Sequence, residues 1–335
     1  MKKTTRLLFL VLRVAIAAAL LIYLGTSGAI NWAALHGLIA EWPLTLTAFI
    51  VLVAAAVITA WRLCVLMKAR GFHLSLISSV RLTLIGTFFN ACLPGSTSGD
   101  VVKIYYTTEG KRGRRTEVAT IMLLDRAVGM FALLIWPLLA APFFQQLVGS
   151  SAILRGLLWA AAAVAAIMLA GMLISSSSSM RNAPLMAWAF RKLPFGLYGE
   201  KVFNTLHVYR HNRGALMKAV MLSLLAHTMT IGVILLTAQA TNANGFAWQM
   251  SILVPRGFLA NTIPLTPGGL GVGETAFNRL FAIAGLTGGA EAILGWRLLT
   301  ILCGLIGLVF YIQGRKYFIQ ESLSPQGMTE ELSYL

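Results

Sequence analysis

Seven ionisable side chains lie within or beside long apolar runs of this chain: Arg81, Asp100, Asp125, Arg126, Arg256, Glu274 and Arg297. A charge in such surroundings is costly to keep, so a functional role is its default reading. Arginine narrows the chemistry, because its planar fork of donors fits a phosphodiester at two points where a lysine ammonium is only a point charge. Arg81, Arg256 and Arg297 therefore read as guanidiniums for a phosphate-bearing headgroup. The competing reading is that they cap backbone carbonyls left open by nearby helix breaks. Asp125 and Arg126 are adjacent, so on a helix they point about 100° apart and do not face one partner together. One is expected to pair with an arginine of a broken segment while the other faces a headgroup. A purely structural ion pair with another span is the alternative.

These groups gather around two interruptions of the apolar pattern. The stronger is NTIPLTPGGLGVGETAF, Asn261 to Phe277, which combines prolines and glycines with one carboxylate and no lysine or arginine. The weaker is NACLPGSTSGDVVK, Asn90 to Lys103. Each runs from Asn through Pro-Gly to a Gly-acid pair, Gly99-Asp100 in one and Gly273-Glu274 in the other. No helix crosses such a run unbroken, since proline removes amide donors and glycine loosens the backbone. Two broken segments in matching halves point to a midplane site of a transporter. Helix starts near Gly99 and Gly271 would add positive dipole ends and free amides to that site. The expected substrate-binding set is thus Arg81, Asn90, Gly99, Asp100, Asp125, Arg126, Arg256, Asn261, Pro267, Gly268, Gly269, Gly271, Glu274 and Arg297.

The elements that must position these groups follow from composition and charge. Of the 335 residues 58% are hydrophobic and only 11% charged, and the mean hydropathy is +0.78. That is an integral membrane protein. A net charge of +16 resembles a nucleic-acid signal, but basic loops facing anionic lipid account for it, and no nucleic-acid partner is expected. Cys64, Cys92 and Cys303 are scattered, which supports neither a disulfide framework nor a metal site. His36, His73, His207, His211 and His227 show no metal-ligand spacing. The string GGLGVG follows no soluble strand and is no nucleotide site. No cofactor and no catalytic residue is expected.

Charge asymmetry then sets the topology. Leu7–Leu24 is the first span, read as an uncleaved segment with Lys2, Lys3 and Arg6 inside. Leu44–Leu66 returns to a basic flank, and Leu74–Leu93 is basic on both sides, which makes it half of a re-entrant hairpin. Val118–Leu139, Ile153–Ile174, Leu216–Ala240 and Ala292–Ile312 are full crossings, and Phe246–Leu270 carries the second hairpin from outside. Arg13, Arg62 and Arg155 sit towards span ends and read as snorkelling side chains. Val202, Phe203, Leu206 and Tyr209 share a helical face in the long basic loop, as in a helix lying among headgroups. The predicted fold is an all-α polytopic membrane protein of about six transmembrane helices plus two re-entrant hairpins. Both termini are cytoplasmic, in a bacterial inner membrane. Residues 1–320 form one domain with inverted repeats at about 44–140 and 216–313, and 321–335 is a disordered tail.

The motifs PGSTSGDVVKIYY, LLDRAVGMFALL and PLTPGGLGVGETAF, in that order, resemble the transmembrane family named for lysylphosphatidylglycerol synthase, also called flippase-like domain proteins. The matching residues are Gly99, Asp100, Asp125, Arg126, Pro267, Gly268, Gly269, Gly271 and Glu274. The resemblance implies a lipid translocator. In bifunctional members it implies movement of aminoacylated phosphatidylglycerol made by a fused soluble domain, which this sequence lacks, so no synthase activity is expected. Ser96, Thr97 and Ser98 replace the family's usual second glycine pair after Pro94.

The expected function is an inner-membrane flippase for a phospholipid or polyprenyl-linked lipid with an anionic or phosphate-containing headgroup. A membrane glycosyltransferase using a lipid-linked sugar is the alternative from another class. It needs a carboxylate base or metal pair at a membrane face, and the only close carboxylates are Glu330-Glu331. A third reading is a scaffold for a lipid-synthesis or glycosyltransferase partner. Glu274 is expected either to pair with Arg256 or Arg297 as a gate, or to carry a proton.

Overall fold

The computed structural model describes residues 35–92, 98–108, 115–175, 212–241, 249–261 and 269–313, together with Ile22, Thr26, Tyr209 and Thr266. The expected first span, most of the long basic loop, the tail, and Pro267 and Gly268 lie outside the described residues. Every regular element among them is a helix, as lipid demands of a spanning chain whose amides find no water. The chain is an all-α polytopic membrane protein. Five segments are long and apolar enough to cross a bilayer: Trp42–Lys68, Glu117–Ser150, Ala152–Gly171, Arg213–Ala240 and Gly289–Gln313.

A short α1 (Gly37–Ala40) leads into α2 (Trp42–Lys68). Pro43 sits in the first turn of α2, where its missing amide costs nothing, and Lys68 in its last turn faces the negative dipole end. Gly71, at φ +71°, reverses the chain. Then come α3 (Leu76–Cys92), α4 (Ser98–Thr108) and α5 (Arg115–Ala140). A 3-10 turn (Ala141–Phe144) and α6 (Gln145–Ser150) join α5 to α7 (Ala152–Ser175). The second half holds α8 (Arg213–Ala240), α9 (Met250–Asn261), α10 (Val272–Ile283) and α11 (Gly289–Gln313).

The order long, short, short, long thus occurs twice, as α2 to α5 and as α8 to α11. The packing follows the same plan. The central contact is α2 on α8. Around it α3 packs on α2, α4 and α11, while α9 packs on α8, α10 and α5. Likewise α4 lies on α5 as α10 lies on α11. Each short pair is therefore a helix, a break and a second helix folded back on the first, and each inserts against the long helix of the other half.

Lipid tails are as apolar as leucine, so burial alone does not hold these helices together; close van der Waals approach and interhelical hydrogen bonds do. Gly307 of α11 lies so close to the Leu84 carbonyl of α3 that a side chain there would collide with backbone. Thr237 Oγ1 of α8 donates to the Ala292 carbonyl of α11 at 3.0 Å, and Ser79 Oγ of α3 to the Ala60 carbonyl of α2 at 2.8 Å. Phe277, Phe281, Ile252 and Ile293 pack one cluster around α9 and α10, and Leu63, Leu66, Ile121 and Leu124 pack another between α2 and α5. Tyr209 belongs to that second cluster. It is fully buried and its hydroxyl donates to the Leu66 carbonyl at 2.7 Å, which corrects its expected place among headgroups. The chain has to bring its long basic loop back against α2, and a tyrosine supplies both the apolar body and the polar tip for that carbonyl.

Candidate functional site

A cavity of about 410 Å³ opens between α2, α3, α4, α5, α8 and α11. Its size is that of a small-ligand site. Its lining is mixed: Leu52, Ala55, Met130 and Leu133 are apolar, and Arg62, Asn90, Asp100, Lys103, Asp125 and Arg126 are polar or charged. Four of the expected site residues, Asn90, Asp100, Asp125 and Arg126, therefore come together.

Arg62 is the residue that sequence reasoning misplaced. It is buried, and it grips Asp125 with two bonds, Nε to Oδ1 at 2.7 Å and Nη2 to Oδ2 at 2.9 Å, while Nη1 donates to Ser223 Oγ at 2.9 Å. The expected snorkelling of Arg62 is thus overturned: a carboxylate within the bilayer competes for the guanidinium better than distant water does. The pair fastens α2 to α5, and Ser223 adds α8. His227 of α8 stands beside it with Nε2 at 3.0 Å from the Gly129 carbonyl; a carbonyl only accepts, so that nitrogen carries the proton.

Arg126 turns the other way, as adjacent helix positions must. Its Nη1 donates to Asp100 Oδ2 at 2.9 Å, and Lys103 Nζ lies 3.6 Å from Oδ1 of the same carboxylate. For Asp125 the structure shows the alternative reading, an ion pair with another span. The acid Asp125 pairs with an arginine of a spanning helix, and the arginine Arg126 pairs with an acid of a broken segment. Asn90, near the end of α3, accepts the Gly99 amide on Oδ1 at 2.9 Å and so closes the break from the other side. Gly99 is packed so tightly on the Gly86 backbone that any Cβ would collide. Lys103 is not among the expected site residues; its offset of three from Asp100 on one helix is the signal that could have found it.

The second break repeats this arrangement. Glu274, like Asp100, is the third residue of its helix, and its Oε1 lies 2.6 Å from Arg297 Nε in a charge contact rather than an aligned hydrogen bond. Its Oε2 accepts the Gly271 amide at 2.7 Å, capping the start of α10. Arg297 Nη2 donates to Asn261 Oδ1 at 2.9 Å and to the Gly269 carbonyl at 2.8 Å. Gly269 and Gly271 have φ of +71° and +80°, which a side chain would oppose. The two clamps differ in access. Asp100 and Arg126 keep 27% and 33% of their side chains exposed, whereas Glu274 and Arg297 keep 0% and 12%. The amides of Gly99 and Gly271, expected to be free for an anion, are taken by Asn90 and Glu274 in this state.

Two expected residues stand apart. Arg256 is buried in α9; its Nη1 donates to the Ile252 carbonyl one turn back at 2.7 Å, and Nε and Nη2 meet no partner among the described residues. Arg81 lies over the Phe310 ring, 5.8 Å from its centre. Neither lines the cavity. Arg297 caps the Gly269 carbonyl at the break alongside its ion pair, whereas the Ile252 carbonyl that Arg256 meets lies inside α9. Pro267 and Gly268 lie outside the described residues. Among the described residues no three His, Cys, Asp or Glu side chains converge as a metal site.

The family described as lysylphosphatidylglycerol synthase TM region matches residues 10–307. No curated protein and no solved structure matches the chain.

Proposed function

Since the chain belongs to the lysylphosphatidylglycerol synthase TM-region family, we propose that it translocates a lipid with an anionic or phosphate-containing headgroup between membrane leaflets. The observation that carries this reading is the cavity, whose lining joins the charged Arg126, Lys103 and Asp100 to apolar side chains such as Leu52, Met130 and Leu133 that suit acyl chains. Arg126 would bind the headgroup phosphate once it leaves Asp100. A guanidinium shared between a carboxylate and a phosphate makes a gate, because each anion competes for the same donors.

The second clamp extends the reading. With α2–α5 and α8–α11 as inverted repeats, Glu274–Arg297 is the counterpart of Asp100–Arg126; both pairs are formed here, the first beside the cavity and the second buried. Exchange of these roles would carry the headgroup across, as repeats rocking against each other do in secondary transporters. Trp296 lines the cavity while Arg297, next to it on α11, holds Glu274. A small rotation of α11 therefore touches both places. The location is an inner membrane with cytoplasmic termini, as the basic loops favour. The glycosyltransferase reading fares worse, because Asp100 and Asp125 are both already engaged by guanidiniums. Reconstitution in vesicles with fluorescent lipids, scored for leaflet exchange, tests the proposal.

A further inference from the structure

Resting on the translocator reading and deepening it, we propose that the lipid phosphate first docks, with Asp100 and Arg126 still paired, on three donors gathered around Gly86: Lys103 Nζ, the Asn90 amide nitrogen and the Thr83 hydroxyl. All three residues line the cavity. On α3, Thr83 precedes Gly86 by three and Asn90 follows it by four, so they share one helical face. Lys103 of α4 lies across that face, where a Cβ on Gly86 would stand 2.5 Å from its Cε and 3.4 Å from its Nζ. The ammonium is 3.6 Å from Asp100 Oδ1, beyond hydrogen-bond reach, and makes no hydrogen bond among the described residues. Asn90 Oδ1 accepts the Gly99 amide at 2.9 Å. An amide N–H only donates, so the oxygen is fixed there and the NH2 group keeps two donors, which meet no acceptor among the described residues. Of the described threonines lining the cavity, Thr59, Thr87, Thr230 and Thr300 each give the hydroxyl proton to a carbonyl one turn back. Thr83 does not: it is only 7% exposed, and its hydroxyl makes no hydrogen bond among the described residues. A buried donor left unmade is costly, so three on one face call for an acceptor. An ionised phosphate only accepts, and its bonds to an ammonium are the strong, charge-assisted kind.

The second half shows what the fold alone requires at these places. Gly257 and Asn261 stand four apart on α9, as Gly86 and Asn90 do on α3, and Phe277 follows Glu274 by three, as Lys103 follows Asp100. The Phe277 ring fills the slot over Gly257 that the Lys103 stem fills over Gly86. The position of Thr83, seven before the asparagine, is held by Val254. Val254 and Phe277 are both buried in the apolar cluster. Packing of the short helices is thus satisfied by a valine and a phenylalanine. The first half sets a hydroxyl and an ammonium in their place, beside the cavity, where polar groups without a partner cost free energy.

The test is retention of lipid by the full chain in detergent, read by native mass spectrometry. The probes are short-chain phosphatidylglycerol, diacylglycerol with the same tails but no phosphate, and inorganic phosphate as competitor. Phosphatidylglycerol should be retained at least about tenfold over diacylglycerol. Lys103→Met keeps the stem over Gly86 and removes the ammonium, and it should lower phosphatidylglycerol retention about tenfold. Asn90→Asp keeps an acceptor for the Gly99 amide but loses the NH2 donors, and should lower retention by a similar factor. Thr83→Val is isosteric and should lower it about threefold, which reads the site even if either of the other variants fails to fold. Thr59→Val, whose hydroxyl proton is already committed to Ala55, should leave retention unchanged. Inorganic phosphate that displaces the lipid at equal concentration would make the ligand a soluble oxyanion and overturn docking of a lipid. Retention equal to that of diacylglycerol, no retention, or retention indifferent to the folded Lys103, Asn90 and Thr83 variants overturns the site. Lipid exchange with retention indifferent to these variants would leave translocation standing without this site. The predicted retention in a protein that exchanges no lipid would overturn translocation and leave the site.

Discussion

Glu274 lies with one carboxylate oxygen 2.6 Å from Arg297 Nε and the other 2.7 Å from the Gly271 amide. One buried carboxylate thus holds both the guanidinium of α11 and the first turn of α10. Glu274→Gln keeps the shape and removes the charge that binds Arg297. The expected outcome is a several-fold rise in basal lipid exchange in vesicles, with the response to a pH gradient unchanged. Loss of the pH response with basal exchange unchanged would instead make Glu274 a proton carrier, and wild-type behaviour in both assays would reduce it to a helix cap.

Arg62 and Asp125 form the buried pair that fastens α2 to α5. Removing one partner leaves an uncompensated charge and typically costs about 3–5 kcal/mol. Arg62→Met and Asp125→Leu should each lower the unfolding temperature in detergent sharply, and the double variant carrying both should recover much of the loss. A double variant no better than the sum of the singles would show that the pair is not coupled.

Much of the fold was legible because a bilayer permits so few solutions. The apolar runs read as Leu44–Leu66 and Leu216–Ala240 emerge as Trp42–Lys68 and Arg213–Ala240, since hydropathy and the need for internal hydrogen bonds set their extent. The acids Asp100 and Glu274 stood out for the same reason. What the sequence hid was nonlocal. Arg62 has the look of a span-end cation, and only its pairing with residues 63 and 161 positions away reveals a fastening. The burial of Tyr209 depends on a carbonyl 143 positions earlier, which no helical face could announce.

Gly99 rests on the backbone of Gly86 where α4 folds back on α3. Gly99→Ala drives a methyl into that backbone and should cost about 1–3 kcal/mol, opening the first break and impairing lipid exchange. Gly232 in α8 has open space around it. Gly232→Ala should leave exchange intact and be neutral or stabilising, given alanine's helix preference. Equal tolerance at both positions would refute close packing of α4 on α3.

Topology offers an independent check. A cysteine introduced at Gln146, in the uncharged α6 segment, should react with an impermeant thiol reagent added outside intact cells. One at Gly71, in the turn between Arg70 and His73, should react only after the membrane is opened. Labelling of both from outside would overturn the orientation assigned from charge.

Movement of lipid between leaflets is the property that decides the function. Protein-containing vesicles would carry an acyl-labelled fluorescent phosphatidylglycerol in both leaflets, with a membrane-impermeant reductant added outside. With wild-type protein the account predicts that fluorescence falls below the level set by the outer leaflet, as inner lipid is brought within reach. With Arg126→Lys, which keeps the charge but loses the two-point fork, the fall should slow by about tenfold or more. If wild-type vesicles retain the whole inner-leaflet signal, as protein-free vesicles do, the chain does not translocate this lipid and the central claim is wrong.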